Sequence, residues 1–203
     1  MGLPLRHIPW SRLPVLLKNR AYAPYKRQIF ANLTGPVLEL GPGLGGNFSY
    51  YPVGAHVMAI EPDATLHQWL HWQAKRHGLE LMIERDPAVM EQLPDAAFGA
   101  VVGTLVLCAV PNPELTLAHI KRVLKPVGTY AFLEHILAPK GTHLNKWQQR
   151  SDHYFKAYAG CACNRTTDAF IRQAFPNASQ THFKLPFSFP LTNCYVAGVA
   201  TKT

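Results

Sequence analysis

The sequence predicts an α/β fold: a single mostly parallel, seven-stranded sheet with helices on both faces. Three observations predict it. Short apolar runs alternate along the chain with segments of helical periodicity, the pattern of strand–helix–strand units. The first two runs end in distinctive punctuation, Val37-Leu38-Glu39-Leu40 in Gly41-Pro42-Gly43-Leu44-Gly45-Gly46-Asn47, and Val57-Met58-Ala59-Ile60 in Glu61. The run over 100–107 is apolar throughout, as a strand buried on both faces requires.

Each element follows in order. Tyr25, Ile29 and Leu33 recur at four-residue spacing and predict a helix over 22–33. A first strand runs from Pro36-Val37 to Gly41, and Asn47 and Phe48 open a helix that Pro52 cuts short. After a strand over 57–60, Asp63 caps a helix that passes Leu66, Trp69 and Leu70 to about His77, where Gly78 ends it. Strands are predicted over 79–84, 100–107 and 129–135, helices over 113–124 and 167–175, and final strands over 181–185 and 194–200. Crossovers between the parallel strands should be right-handed.

The glycine segment and Glu61 carry the functional reading. Glycines without a Cβ let the backbone turn sharply and approach a ligand closely. A carboxylate at the end of the second strand can accept hydrogen bonds from both hydroxyls of a ribose. Dinucleotide sites prefer G-x-G-x-x-G aimed at a pyrophosphate. Here the spacing is Gly41-x-Gly43-x-Gly45, and Glu39 two residues earlier would repel a pyrophosphate while attracting a cationic amino-acid end. S-adenosylmethionine, with an α-ammonium and a sulfonium on an adenosine, is the expected cofactor. Ligands of open α/β sheets sit beyond the carboxyl ends of the strands near the switch in strand order. That rule gathers Glu39, Gly41, Gly43, Gly45, Asn47, Glu61, Pro62, Val89, Met90, Thr104 and Leu105 around one cavity, with Met90 and Leu105 either sandwiching the adenine or serving as core.

The pattern resembles the class I S-adenosylmethionine-dependent methyltransferases over nearly the whole chain. Glu39-x-Gly41-x-Gly43-x-Gly45 is similar to their first motif, Glu61 to their ribose acid, and Leu124-Lys125-Pro126-Val127-Gly128 to their L-K-P-G-G turn before strand five. The resemblance implies a Rossmann-like fold and a hairpin-like pair of closing strands. Where the class places an acid just before its L-P pair, the aligned residue is Val89, next to Met90, so the adenine amine is left to backbone or to Asp86. Thr104-Leu105-Val106-Leu107-Cys108, Phe132-Leu133-Glu134-His135, Gly160-Cys161 with Asn164-Arg165-x-Thr167, and Lys26-Arg27-x-x-Phe30-x-Asn32-Leu33 are similar to the alkyl-thiol S-methyltransferase family of methyltransferase-like proteins. That resemblance implies a thiol or hydrosulfide acceptor. An N- or O-methyltransferase of a lipid or quinone, and a non-catalytic binding protein on the same fold, are the other readings.

A thiol acceptor must lose its proton, because the thiolate is the nucleophile. His135, at the end of strand five beside Glu134, is the candidate general base; its structural alternative is a histidine tied to a backbone carbonyl. Asp152 is the second catalytic candidate, as the residue that orients a donor. It lies with Trp147, His153, Tyr154 and Tyr158 in the connection after strand five, where class I enzymes build the acceptor pocket. Trp147, Tyr154 and Tyr158 have helical spacing and suit either a lid or a packed helix face. Cys161-x-Cys163 is poor zinc spacing without another close Cys/His pair, so no metal is expected. The family resemblance makes Cys161 part of a cap, with a thiol-relay role open to it.

Bulk properties set the remaining bounds. The 203 residues, 48% hydrophobic, suit one domain over 1–203, with 1–33 as a helical cap over the active site. The net charge of +8 is scattered, with no Lys/Arg block and no RNA-binding aromatic motif, so no nucleic-acid partner is expected beside the small-molecule acceptor. Four cysteines and the absence of a secretory pattern suggest reduced thiols and a cytoplasmic location. The related family carries a hydrophobic N-terminal anchor. Here no apolar run approaches the ~20 residues a bilayer requires. Trp10, Leu13, Val15, Leu16 and Leu17 among Arg6, Arg12, Lys18 and Arg20 would still allow peripheral membrane contact through residues 1–20.

Overall fold

A computed structural model describes residues 13–185 and 193–203, with side chains from residue 20 onward except those of 158 and 159. The reading of residues 1–20 as a membrane-facing segment therefore falls mostly outside the described residues. No helix among those described is long and apolar enough to cross a membrane.

The elements are α1 (Leu13–Phe30), β1 (Val37–Leu40), β2 (His56–Ile60), α2 (His67–His77), β3 (Glu80–Glu84), α3 (Val89–Gln92), β4 (Phe98–Thr104), α4 (Pro113–Val123), β5 (Leu124–His135), α5 (His143–Ala159), α6 (Thr167–Ala174), β6 (Ser179–Phe183) and β7 (Tyr195–Thr201). The seven strands form one sheet in the order β3-β2-β1-β4-β5-β7-β6. β1 to β5 pair in parallel, while β7 runs antiparallel to both β5 and β6. The fold is the Rossmann-like class I arrangement that the sequence predicts. Its chain order reverses between β1 and β4, which is where such sheets open a ligand crevice.

Alternation along the strands separates two apolar layers. Val37, Val57, Val102 and Leu133 face α1 and α2, and their neighbours Leu38, Met58, Val101 and Phe132 face α4 and α6. All four residues of β1 are buried, the signature of a central parallel strand.

Element ends depart from the predicted ones for local reasons. α1 begins earlier than 22 and runs through Pro24, which removes one helical hydrogen bond without ending the helix. It stops at Phe30, before the positive φ of 72° at Gly35. The helix predicted after Asn47 is a single 3-10 turn, Phe48–Tyr50, because Tyr51 is extended ahead of Pro52. Asp63 caps a 3-10 turn, Ala64–Leu66, from which α2 continues until Gly78 turns left-handed at φ 67°. β4 ends at Thr104 rather than 107, since Leu105 adopts φ 59°. β5 starts at Leu124, through an irregular register opposite Phe98 and Ala100. The last two strands lie within two residues of their expected spans.

α3 was not anticipated as an element, and α5 only through the helical spacing of Trp147, Tyr154 and Tyr158. α5 begins under a Thr142 cap and ends at Gly160, φ 64°. Its buried stripe is polar: Asn145 donates to the carbonyl of Ala138 at 2.7 Å, and Gln148 accepts from the Ala138 N–H at 2.7 Å and donates to the carbonyl of Ile136 at 3.1 Å. These bonds satisfy the backbone where it leaves the sheet, and they fix the course of the chain just beyond His135.

Candidate active site

The glycine segment leaves β1 through Gly41, whose N–H donates to the carbonyl of Ile60 at 2.9 Å. Gly41, Gly43 and Gly45 all have positive φ, and a Cβ on Gly43 would meet nothing within 4 Å, so the loop keeps open space beside its backbone. Glu61 faces this loop. Its Oε2 accepts from the Gly43 N–H at 2.9 Å and its Oε1 from the Asp63 N–H at 3.0 Å. A carboxylate has about four acceptor positions, so each oxygen keeps capacity for one hydroxyl of a diol.

Glu39 sits differently from the expected ammonium ligand. It is fully buried; Oε1 accepts from Asn47 Nδ2 at 2.9 Å and Oε2 from the Tyr51 hydroxyl at 2.7 Å. Burial lifts its carboxyl to about 7, against the lowering effects of these two hydrogen bonds and of Lys26. Lys26 reaches down from α1, donates to the carbonyl of Gly46 at 3.1 Å, and is itself pushed down to about 8 by burial. Glu39 thus braces the underside of the loop. Asn47 also donates to Thr104 Oγ1 at 3.0 Å, which ties the glycine loop to the end of β4, and its buried Oδ1 has no hydrogen-bond partner among the described residues.

A cavity of about 510 Å³ opens beside the loop, at the switch between β1 and β4. Gly41, Pro62, Met90 and Leu105 line it as the sequence places them, and Glu91, Val106 and Ala109 join them without having been anticipated. Val89 is turned instead toward the apolar layer beneath α4. Asp86 is exposed and caps its own turn by accepting from the Ala88 N–H at 2.9 Å. The acid on the cavity wall is Glu91, on α3 next to Met90.

Beyond the end of β4 the chain is held by a buried acid that the sequence marks only as His135's neighbour. Glu134 Oε1 accepts from the N–H groups of Val106 at 2.9 Å and Leu107 at 3.1 Å. Burial raises this carboxyl to about 8. Arg165 closes the same loop by donating to the carbonyls of Leu107 and Val110 at 2.5 and 2.6 Å.

Behind that loop His135, 4% exposed, lies with Nε2 2.6 Å from Cys161 Sγ, and Cys108 completes a group whose ligand atoms lie within 4.8 Å of one another. Cys161 is lowered to about 5, chiefly by a hydrogen bond from Cys108 and, against its burial, by His135. Cys108 is raised correspondingly, by that hydrogen bond and by burial. His135 is therefore neither alone nor tied to a carbonyl through Nε2: its partner is a sulfur. Cys161-x-Cys163 splits, since the Cys163 thiol donates to the carbonyl of Gln148 at 3.4 Å. The expectation of no metal-ligating cluster rested on that pair and does not cover Cys108–His135–Cys161.

Asp152 is placed apart from this group. It is buried and ion-paired with Lys156 at 2.8 Å, and after burial it is the next cause that raises the Cys163 thiol. Two of the α5 aromatics stand out into solvent rather than packing on the sheet. Trp147 is 60% and Tyr154 70% exposed; Tyr158's side chain lies outside the described set. On α1, Tyr22 packs edge-on against Tyr195 of β7 with ring centroids 5.5 Å apart.

Comparison with known proteins agrees with this geometry. A family profile described as "Methyltransferase domain" matches residues 38–132. Human thiol S-methyltransferase TMT1A is 33% identical over 201 residues, spanning 92% of this chain and 82% of that protein. The chain belongs to the thiol S-methyltransferase family. It is a methyltransferase, and its fold recurs in solved structures of low identity. A possible histamine N-methyltransferase of Thermotoga maritima, described as S-adenosylmethionine-dependent, superposes with TM-score 0.61 at 16% identity, covering 96% of this chain and 95% of that one. The [4+2]-cyclase SpnF superposes with TM-score 0.67 at 14% identity, over 91% and 80% of the two chains. Since one of these is a cyclase, the fold alone does not decide the chemistry. Gly43, Gly45, Asn47, Glu61 and Thr104 do not line the cavity at the β1/β4 switch themselves, but the loop and strand ends that carry them fit S-adenosylmethionine: Asn47 Oδ1 has no hydrogen-bond partner among the described residues, Gly43 has open space above it, and Glu61 keeps acceptor capacity.

Proposed function

We propose that this methyltransferase moves the methyl group of S-adenosylmethionine onto the sulfur of a small thiol or hydrosulfide. The observation that carries the reading is the adjacency of two sites: a nucleoside-sized crevice at the β1/β4 switch, and a histidine–cysteine cluster at the ends of β4 and β5. The Thr104-to-Cys108 segment is the wall between them.

S-adenosylmethionine supplies a methyl carbon on a positively charged sulfur, a leaving group that is already activated. The chain's own residues then have three tasks. Glu61 holds the ribose hydroxyls, Met90 and Leu105 flank the adenine, and Glu91 offers an acceptor to its amine. Asn47, fixed by Glu39 and Thr104, presents Oδ1 to the ammonium end. Glu134 and Arg165 hold the 105–110 segment so that the acceptor sulfur meets the methyl carbon in line; such alignment supplies ~7–11 kcal/mol of a barrier. The acceptor's proton leaves on the His135 and Cys161 side of that segment.

Incubation with methyl-labelled S-adenosylmethionine and a panel of hydrosulfide, alkyl thiols, amines and phenols tests the proposal. Label should appear in thioethers. Label in amines or phenols with none in thiols rejects the acceptor assignment.

A further inference from the structure

Cys108, His135 and Cys161 come from three separate segments: the loop after β4, the last residue of β5, and the turn after α5. We propose that they form a Cys2His site for a tetrahedral divalent cation of the zinc type, whose fourth position receives the acceptor sulfur as a thiolate. This deepens the methyl-transfer reading above and rests on it.

The ligand set is the first argument. Two cysteine sulfurs with one imidazole and no carboxylate oxygen select borderline-soft ions over magnesium or calcium. Three protein ligands with one position left open is the arrangement of catalytic rather than structural zinc.

Geometry is the second. An ion ~2.3 Å from each sulfur and ~2.0 Å from the imidazole nitrogen needs its ligand atoms about 3.6 Å apart. Here all three lie within 4.8 Å of one another, and the closest pair, His135 Nε2 and Cys161 Sγ, stands at 2.6 Å. Loading would open that pair by about 1 Å.

The frame around the ligands is already fixed. The two cysteine-bearing segments are joined directly, Ala162 N–H donating to the carbonyl of Cys108 at 2.9 Å. Thr167 Oγ1 donates to the carbonyl of His135 at 3.3 Å. Arg165 pins the loop that carries Cys108. Cys108 and His135 are buried and Cys161 is partly exposed, so the open coordination position faces the accessible side.

The chemistry suits a thiol acceptor. The two cysteine thiolates cancel the charge of the dication, and a thiol that coordinates it is held deprotonated at neutral pH. The acceptor's S–H bond breaks with its proton released to solvent, and a sulfur–metal bond takes its place. In the transfer a carbon–sulfur bond forms at the acceptor as the carbon–sulfonium bond breaks, leaving a neutral thioether on each side. The methylated acceptor is a weaker ligand than the thiolate and leaves the metal.

Cobalt(II) titration of the reduced, metal-stripped full chain tests this, with a readout independent of turnover. Expected are about one equivalent bound, a thiolate-to-cobalt charge-transfer band, tetrahedral d–d bands, and a shift of those bands when an alkyl thiol is added. Cys108→Ser, Cys161→Ser and His135→Gln should each weaken binding by more than the ~10–100-fold that loss of an outer-shell partner costs. Cys194→Ser, at a buried cysteine outside the cluster, should leave it unchanged. Absence of a thiolate–cobalt band in folded wild-type chain overturns the proposal, and that result stands even if the variants fail to fold. So does full thiol methylation by chelated protein; that outcome leaves the methyl-transfer reading intact, whereas a loaded site with no transfer to thiols would overturn that reading and the acceptor role of the fourth position while leaving the metal site itself standing.

Discussion

Glu61 spends one lone pair of each oxygen on backbone, at Gly43 and Asp63, and keeps the other for a ligand. Replacing it with alanine removes two hydrogen bonds to a charged acceptor, each worth ~1.5–3 kcal/mol. S-adenosylmethionine affinity should therefore fall by roughly 10²–10⁴-fold. Calorimetry on Glu61→Ala measures this, with the thermal transition of the ligand-free variant reporting whether the loop itself has loosened; affinity within about threefold of wild type would remove Glu61 from the site. The glycines and Glu61 were legible in the sequence because their signal is local, a strand end followed at once by its turn or its acid. Glu39 was legible as a site residue but not as a brace, since its partners Asn47 and Tyr51 are revealed only when the loop folds back over it. Glu134 and the Cys108–His135–Cys161 group were not legible together. What joins them is proximity across loops far apart in sequence, and no spacing rule encodes that. Glu91 could have been found, as the one acid adjoining Met90.

Val127 is the clearest departure of an element from its local rules. It occupies the fourth position of the Leu124-Lys125-Pro126-Val127-Gly128 turn at φ 56°, with 79% of its surface exposed. A β-branched residue there costs ~1–2 kcal/mol, and a side chain so exposed gains little packing in compensation. Val127→Gly should raise stability by ~0.5–1 kcal/mol once the greater freedom of glycine in the unfolded chain is subtracted. Urea unfolding would show it, and a destabilised variant would mean that the turn is not strained. α5 teaches a different lesson. Trp147 and Tyr154 have helical spacing but face solvent, and Asn145, Gln148 and Asp152 are buried instead, so a reading guided by hydrophobic periodicity found the right period and, at those two residues, the wrong side. Trp147→Ser with Tyr154→Ser should leave thiol turnover unchanged and shift stability by no more than about 0.5 kcal/mol. A large rise in KM for thiols would restore the lid reading.

The whole molecule should be least stable near neutrality with respect to one buried pair. Glu39 is raised from 4.5 to about 7, so its contribution is full below 4.5 and is lost as pH rises through 7. Lys26 is lowered from 10.5 to about 8, so its contribution is full above 10.5 and is lost as pH falls through 8. The two effects place the minimum between about 7 and 8. Comparing denaturant unfolding of wild type with Glu39→Gln/Lys26→Met across this range isolates them from the net charge; a stability difference that does not vary with pH would contradict the assignment. At this scale the sheet order, the two apolar layers and the position of the crevice follow from the alternation of short apolar strands with amphipathic helices, which is why the fold was readable before its site. The central claim is that the crevice and the histidine–cysteine cluster are two halves of one active site. A crystal structure with S-adenosylhomocysteine bound tests it most directly. The expected result has both ribose hydroxyls on Glu61, adenine between Met90 and Leu105, and the sulfur facing the open side of His135 and Cys161. A nucleoside bound elsewhere, or a sulfur walled off from that cluster, would contradict it.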